Sequence, residues 1–123
     1  MGEKILVVED NDFIRMQIAA FLSEAGYEIA ESSDGSQALK MVSDDIALVV
    51  ADIRMEPMGG FEFLKIMRSE GQKIPVILVT GDDAPDLLSD ATKLGVAAVL
   101  KKPVNKERLM KTISRTLGTE KRM

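Results

Sequence analysis

Four short stretches of this chain are apolar without interruption: residues 5–8 (ILVV), 47–51 (ALVVA), 76–79 (VILV) and 97–100 (AAVL). A strand with one face in water must alternate polar and apolar residues, because successive side chains point to opposite faces. These runs do not alternate. They read as strands covered on both faces, the pattern of a parallel sheet. A weaker run at 27–30 (YEIA) has polar neighbours and suits an outer strand.

Helical spacing fills the intervals. Ile14, Ile18, Phe21, Leu22 and Ala25 recur on one face, with Asp12 as the expected N-cap and Gly26 as the stop. Ser36 is expected to cap a second helix containing Ala38, Leu39 and Val42. A third is expected over 60–68. Asp83 is the expected cap of a fourth, with Pro85 in its first turn, Leu87, Leu88 and Ala91 inward, and Gly95 as its stop. Asn105 is the expected cap of a fifth, with Leu109, Ile113 and Leu117 on one face. Strands alternating with helices make an α/β fold with helices on both faces of a parallel sheet. The expected topology is the flavodoxin-like (βα)5 arrangement with strand order 2-1-3-4-5. Residues 1–123 are read as one domain, with the tail from about 118 fraying.

Composition narrows the chemistry. The chain has 16 basic and 20 acidic residues, a net charge of −4, which argues against direct nucleic-acid binding. It has no cysteine and no histidine, so thiolate and imidazole ligands and a histidine base are excluded. No apolar run approaches the ~20 residues of a membrane span, so no membrane contact is expected. The lack of cysteine fits a cytoplasmic location.

In an open parallel sheet, ligands bind beyond the carboxyl ends of the strands. There strand 1 runs into Glu9-Asp10, strand 3 ends in Asp52, strand 4 ends in Thr80-Gly81, and Lys101-Lys102-Pro103 follows strand 5. Clustered carboxylates repel unless a cation neutralises them. An all-oxygen ligand set suits a hard ion, Mg²⁺, which also favours phosphate oxygens. The cleft reads as a phosphate-handling Mg²⁺ site.

These residues, Glu9-Asp10, Asp52 in "ADIRM", Thr80 in "VILVTG" and Lys102 in "KKP", match in type, order and spacing a known family. The chain resembles a response-regulator receiver domain of two-component signalling over essentially its whole length. The resemblance implies that Asp52 is the phosphoacceptor, attacking a phosphohistidine on a histidine kinase or histidine phosphotransfer protein. It implies that Asp10 and Asp52 bind Mg²⁺, with Glu9 acting through water and Arg54 through its backbone carbonyl. Thr80 would donate a hydrogen bond to the phosphoryl group and Lys102 would pair with it. The Lys102–Pro103 bond is expected to be cis. Such a domain is not an enzyme beyond its own phosphotransfer and autodephosphorylation.

Two positions depart from the pattern. The family usually has an aromatic residue three positions before the cleft lysine, where Val99 stands. Switching would then travel by another route, through helix 4. In the loop after Asp52, Pro57 sits one place late and Glu56 takes its usual position. The pair Gly59-Gly60 is expected to make that loop adaptable. Arg54, Glu56 and Asp82 are candidate modulators of phosphoryl lifetime.

The last helix ends near residue 117, so the chain is expected to be either a free-standing receiver or one excised from a longer protein. Its output would be binding to a downstream target protein or a separate effector domain, with oligomeric state open. In the family the helix 4–strand 5–helix 5 face often carries output, while helix 1, here with Arg15, Gln17 and Glu24 as exposed candidates, meets the phosphoryl donor. The rival reading is a receiver-like adaptor that binds partners without phosphorylation. An aspartyl phosphatase is disfavoured by Arg54, where a second acid would stand. A flavin protein is disfavoured by the lack of a phosphate-cradling loop after strand 1.

Overall fold

The computed structural model describes residues 3–81 and 85–118. Its elements are β1 Lys4–Val8, α1 Asp12–Glu24, β2 Glu28–Ser32, α2 Gly35–Met41, β3 Ile46–Asp52, α3 Gly60–Ser69, β4 Val76–Thr80, α4 Pro85–Lys93, β5 Ala98–Lys101 and α5 Lys106–Leu117. The strands are all parallel, in the order β2-β1-β3-β4-β5, as the apolar runs predict. Among the described residues, no helix is long and apolar enough to cross a membrane.

The unbroken apolar runs have a direct physical cause. Leu6 and Val8 of β1, Val49 and Ala51 of β3, and Val76 and Leu78 of β4 face one core. There they meet Ala38 of α2, Phe63, Leu64 and Met67 of α3, and Ala91 of α4. Their neighbours Ile5, Val7, Leu48, Val50, Ile77 and Val79 face a second core with Ile18 and Leu22 of α1 and Leu109 and Ile113 of α5. With both faces dry, polar side chains can leave the sheet only at its ends. β2 keeps two glutamates because it lies at the sheet margin.

The caps slip by one or two residues from expectation. Asn11, not Asp12, caps α1: its backbone is extended, and its Oδ1 accepts from Ile14 N at 3.0 Å. Asp12 is already helical and pairs with Arg15 at 2.7 Å. Asp34, not Ser36, caps α2, accepting from Ser36 N at 2.7 Å and Gln37 N at 3.1 Å. A longer carboxylate arm placed two residues earlier reaches the free N–H groups better than a hydroxyl inside the turn. Asn105 caps α5 as expected, accepting from Arg108 N at 2.9 Å. Gly26 and Gly95 follow their helices with φ of 95° and 76°, the left-handed stop expected of them. The expected cap Asp83 lies outside the described residues. Leu88 is 45% exposed rather than inward, whereas Ala91 is fully buried.

Truncation on either side of the sheet tests the double core. Phe63→Ala should cost about 3–5 kcal/mol and Ile113→Ala about 2–5 kcal/mol, because each leaves a cavity in a packed layer. Urea unfolding should show a single transition whose midpoint falls in both variants. A near-zero change in either would mean that its face is not packed as described.

Candidate functional site

Register brings the polar tips together. Val8 of β1 lies beside Ala51 of β3, so Glu9 follows directly next to Asp52. Asp52 of β3 pairs with Val79 of β4, and Thr80 pairs with Lys101 of β5. Ile53 N donates to Val79 O at 3.0 Å and Lys102 N donates to Thr80 O at 2.8 Å. These two bonds carry the ladder one step past the strands and set Lys102 over the cleft.

Carboxylate oxygens of Glu9, Asp10 and Asp52 lie within 4.8 Å of one another. Glu9 and Asp52 are buried, at 2% and 5% exposure, while Asp10 is exposed. The Lys102 ammonium donates to Asp52 Oδ2 at 2.9 Å and lies 3.4 Å from Glu9 Oε1. Asn11 N donates to Glu9 Oε2 at 3.1 Å, and Arg54 N to Asp52 Oδ1 at 3.3 Å. Thr80 is buried at the tip of β4. The Lys102–Pro103 peptide is cis as expected, and so is Glu56–Pro57.

The electrostatics ask for more positive charge than the chain supplies. Burial pushes the Glu9 carboxyl up to about 7, and the Asp52 charge adds to this. The Asn11 N–H and Lys102 oppose the rise without cancelling it. For Lys102, burial favours the neutral form, but the hydrogen bond to Asp52 and the charges of Asp52 and Glu9 outweigh it, so its pKa rises. Glu9 Oε1 is buried and makes no hydrogen bond; its contact with Lys102 is an ion pair only. A buried carboxylate oxygen short of partners, inside an all-oxygen cluster, fits a hard divalent cation such as Mg²⁺.

The loop after Asp52 overturns one expectation. Gly59-Gly60 does not serve adaptability. A Cβ on Gly59 would stand 2.3 Å from Ile53 O, and one on Gly60 would stand 2.3 Å from Asp52 O. Gly60 N also donates to Ile53 O at 3.1 Å. A Cβ on Gly35, at the start of α2, would meet Met58 Cγ and O at 2.9 Å. These glycines let α3 and α2 close directly against the loop that carries Asp52.

Arg15 also departs from expectation. Its guanidinium is held from three sides: it donates to Glu9 O at 2.7 Å, to Asp12 at 2.7 Å and to Glu31 at 3.2 Å. It fastens the end of β1 to α1 and β2. Helical spacing alone could not show this, since the partners come from three segments. Gln17 and Glu24 are exposed as expected. Phe13 and Met16, passed over in the sequence, are exposed at 75% and 63%. They fall outside the Ile14–Ile18 stripe, and that was the available signal. Arg54 and Glu56 are exposed on the loop after β3, Val99 is half-buried and packs, like Leu94 and Val96, against the core that contains Leu78 and Ala91, and Asp82 lies outside the described residues.

Comparison with known proteins agrees with this geometry. The family model for the response regulator receiver domain matches residues 5–114. The Vibrio cholerae chemotaxis protein CheY4 superposes with a TM-score of 0.86 at 32% identity, covering 94% of this chain and 99% of that one. Sporulation initiation phosphotransferase F of Bacillus subtilis is 30% identical over 118 residues, 95% of each chain. The Vibrio cholerae CAI-1 autoinducer sensor kinase/phosphatase CqsS is 37% identical over 115 residues, and the Klebsiella oxytoca transcriptional regulatory protein ZraR is 36% identical over 115. The chain spans only 17% and 26% of those two proteins. A paired sheet topology, an acid cluster at its carboxyl edge and a facing lysine define a receiver. The chain belongs to the response regulator receiver domain family and is a receiver of two-component phosphorelay signalling.

Substituting the loop glycines tests their role. Gly60→Ala should destabilise by about 1–3 kcal/mol, because overpacking must shift the Asp52 backbone. Gly81→Ala should be tolerated, since a Cβ there meets nothing within 4 Å. Thermal melts of both variants should separate clearly; equal melts would refute the close approach.

Proposed function

We propose that Asp52 accepts a phosphoryl group from a phosphohistidine on a partner protein. The observation that carries this reading is the Lys102 ammonium 2.9 Å from Asp52 Oδ2 in a cleft shared with Glu9 and Asp10. An Asp52 oxygen attacks phosphorus, the P–N bond breaks, and its electron pair returns to the donor imidazole, which is then protonated. Lys102 moves with the growing negative charge from the carboxylate toward the phosphoryl oxygens. The Thr80 hydroxyl donates to one of them. Glu9, Asp10, Asp52 and the Arg54 carbonyl would hold Mg²⁺, which when bound neutralises phosphoryl charge. The 123 residues contain no histidine, so the donor phosphohistidine lies outside this sequence.

The partner is a histidine kinase or histidine phosphotransfer protein. Phe13, Met16 and Gln17 on α1 form an exposed face beside the cleft, suited to its docking. Arg54 and Glu56 sit at the rim, where they tune hydrolysis of the acyl phosphate. With Val99 in place of an aromatic residue, the change of state passes through α4. The phosphorylated domain then alters its binding to a downstream protein or effector domain.

Asp52→Asn should keep the fold and lose all labelling by acetyl phosphate or a phosphorylated kinase. Retained labelling would put the acceptor elsewhere. Lys102→Ala and Thr80→Ala should each slow transfer by roughly 10²-fold, the usual loss of one stabilising donor. Mg²⁺ at about a hundred times its Kd should stabilise the wild type by about 2.7 kcal/mol, and chelation should reverse this. The same addition should do much less for Asp10→Asn. Beryllofluoride with Mg²⁺ should move the amide resonances of α4; an unmoved α4 would break the proposed route.

A further inference from the structure

We infer that Arg15 is a positioning residue for the Mg²⁺ site: its guanidinium fixes the peptide that joins Glu9 to Asp10, and so sets how tightly the acid cluster takes the ion. This role presupposes the Mg²⁺ site proposed for the cleft. β1 ends at Val8, which lies beside Ser32, the last residue of β2. Glu9 N donates to Ser32 O at 3.0 Å, one step past the strand. The next polar group of the chain, the Glu9 carbonyl, turns to a side chain instead: Arg15 Nη1 donates to it at 2.7 Å.

The guanidinium is itself held. Its Nη2 donates to Asp12 Oδ1 at 2.7 Å and its Nε to Glu31 Oε1 at 3.2 Å, and the Arg15 side chain is only 16% exposed. A guanidinium is a rigid planar fork, so carboxylates that hold two of its nitrogens also aim the third. Asp12 stands on α1, and Glu31 stands on β2, one residue before Ser32. The two segments beside the end of β1 therefore converge on one carbonyl oxygen. A peptide unit is planar, so gripping its oxygen also fixes the Asp10 nitrogen and Cα. That plane sets the directions in which the buried Glu9 and the exposed Asp10 leave the backbone. Asn11 N, donating to Glu9 Oε2 at 3.1 Å, then fixes the Glu9 carboxylate itself.

Mg²⁺ demands near-ideal octahedral geometry, so its affinity depends on where its ligands start. Groups that orient metal ligands typically carry about ten- to hundredfold in affinity. Charge alone predicts the reverse for Arg15. A cation near the cluster repels a divalent ion, so deleting that cation should tighten Mg²⁺ binding. Among the described residues, the bond from Arg15 to the cluster goes to backbone and not to a carboxylate oxygen. Positioning and charge therefore predict opposite signs for the same substitution.

Calorimetric titration of the full chain with Mg²⁺ tests this. Arg15→Ala should weaken Mg²⁺ binding roughly tenfold or more. Arg15→Lys keeps the charge but replaces the fork by a single ammonium, and it should weaken binding too. It also carries the test if Arg15→Ala does not fold. In the Arg15→Ala background, Glu31→Ala should add little, because both act through one guanidinium. Labelling of Asp52 by acetyl phosphate separates position from chemistry. The Mg²⁺ concentration for half-maximal labelling should rise in Arg15→Ala, while the rate at saturating Mg²⁺ returns toward the wild-type value. Unchanged or tighter Mg²⁺ binding in Arg15→Ala would overturn the role, and so would full rescue by Arg15→Lys. A rate loss that persists at saturation would assign Arg15 to the fold at large and overturn it as well. A wild type that takes up no Mg²⁺ would sink the cleft reading and this role together, whereas normal wild-type uptake with unaffected variants would sink this role alone.

Discussion

Lys102 bridging two buried carboxylates is the interaction on which the rest of this site depends. Its ammonium stands 2.9 Å from Asp52 and 3.4 Å from Glu9, both almost fully buried. Negative charge in such a place is costly unless it is paired. One lysine cannot satisfy both acids, as the raised Glu9 pKa and its unbonded Oε1 show. The cleft is therefore held together while remaining short of positive charge. A site in this condition favours a divalent cation and then rewards a ligand that redistributes negative charge, as a phosphoryl group does.

The scaffold makes that arrangement rigid. Helices cover both faces of the sheet, so Asp52 cannot turn sideways without entering a packed core. Backbone bonds past the strand ends, from Ile53 to Val79 and from Lys102 to Thr80, tie three strands together at the cleft. Glycines bring α3 against the Asp52 carbonyl, and Arg15 holds the Glu9 carbonyl from outside. Each device acts on backbone, which fixes where the carboxylates start and leaves only side-chain rotation free.

Much of this was legible in the chain. The four unbroken apolar runs predicted strands covered on both faces, and their order and the polar residues at their ends located the cleft. Asn105 was readable as a cap because it stands alone before its helix. The caps of α1 and α2 were not, because Asn11-Asp12 and Asp34-Gly35-Ser36 each offer two candidates and only backbone angles choose between them. Gly59-Gly60 was misread as flexibility, since nothing local shows that Ile53 O and Asp52 O stand where side chains would be. Arg15 looked like a solvent-facing helix residue because its partners lie on β1 and β2 as well as α1.

The amino-acid order by itself determined the strands, the helices and the family, because burial on two faces writes an unbroken apolar pattern that needs no partner to be read. It also determined which acids, hydroxyl and lysine end at one sheet edge. Only the tertiary structure decided how those groups share charge, which glycines are required by close contact, and which helix arginine is held between three segments. Those properties depend on distances between segments far apart in the chain, and such distances exist only after the sheet has closed its register.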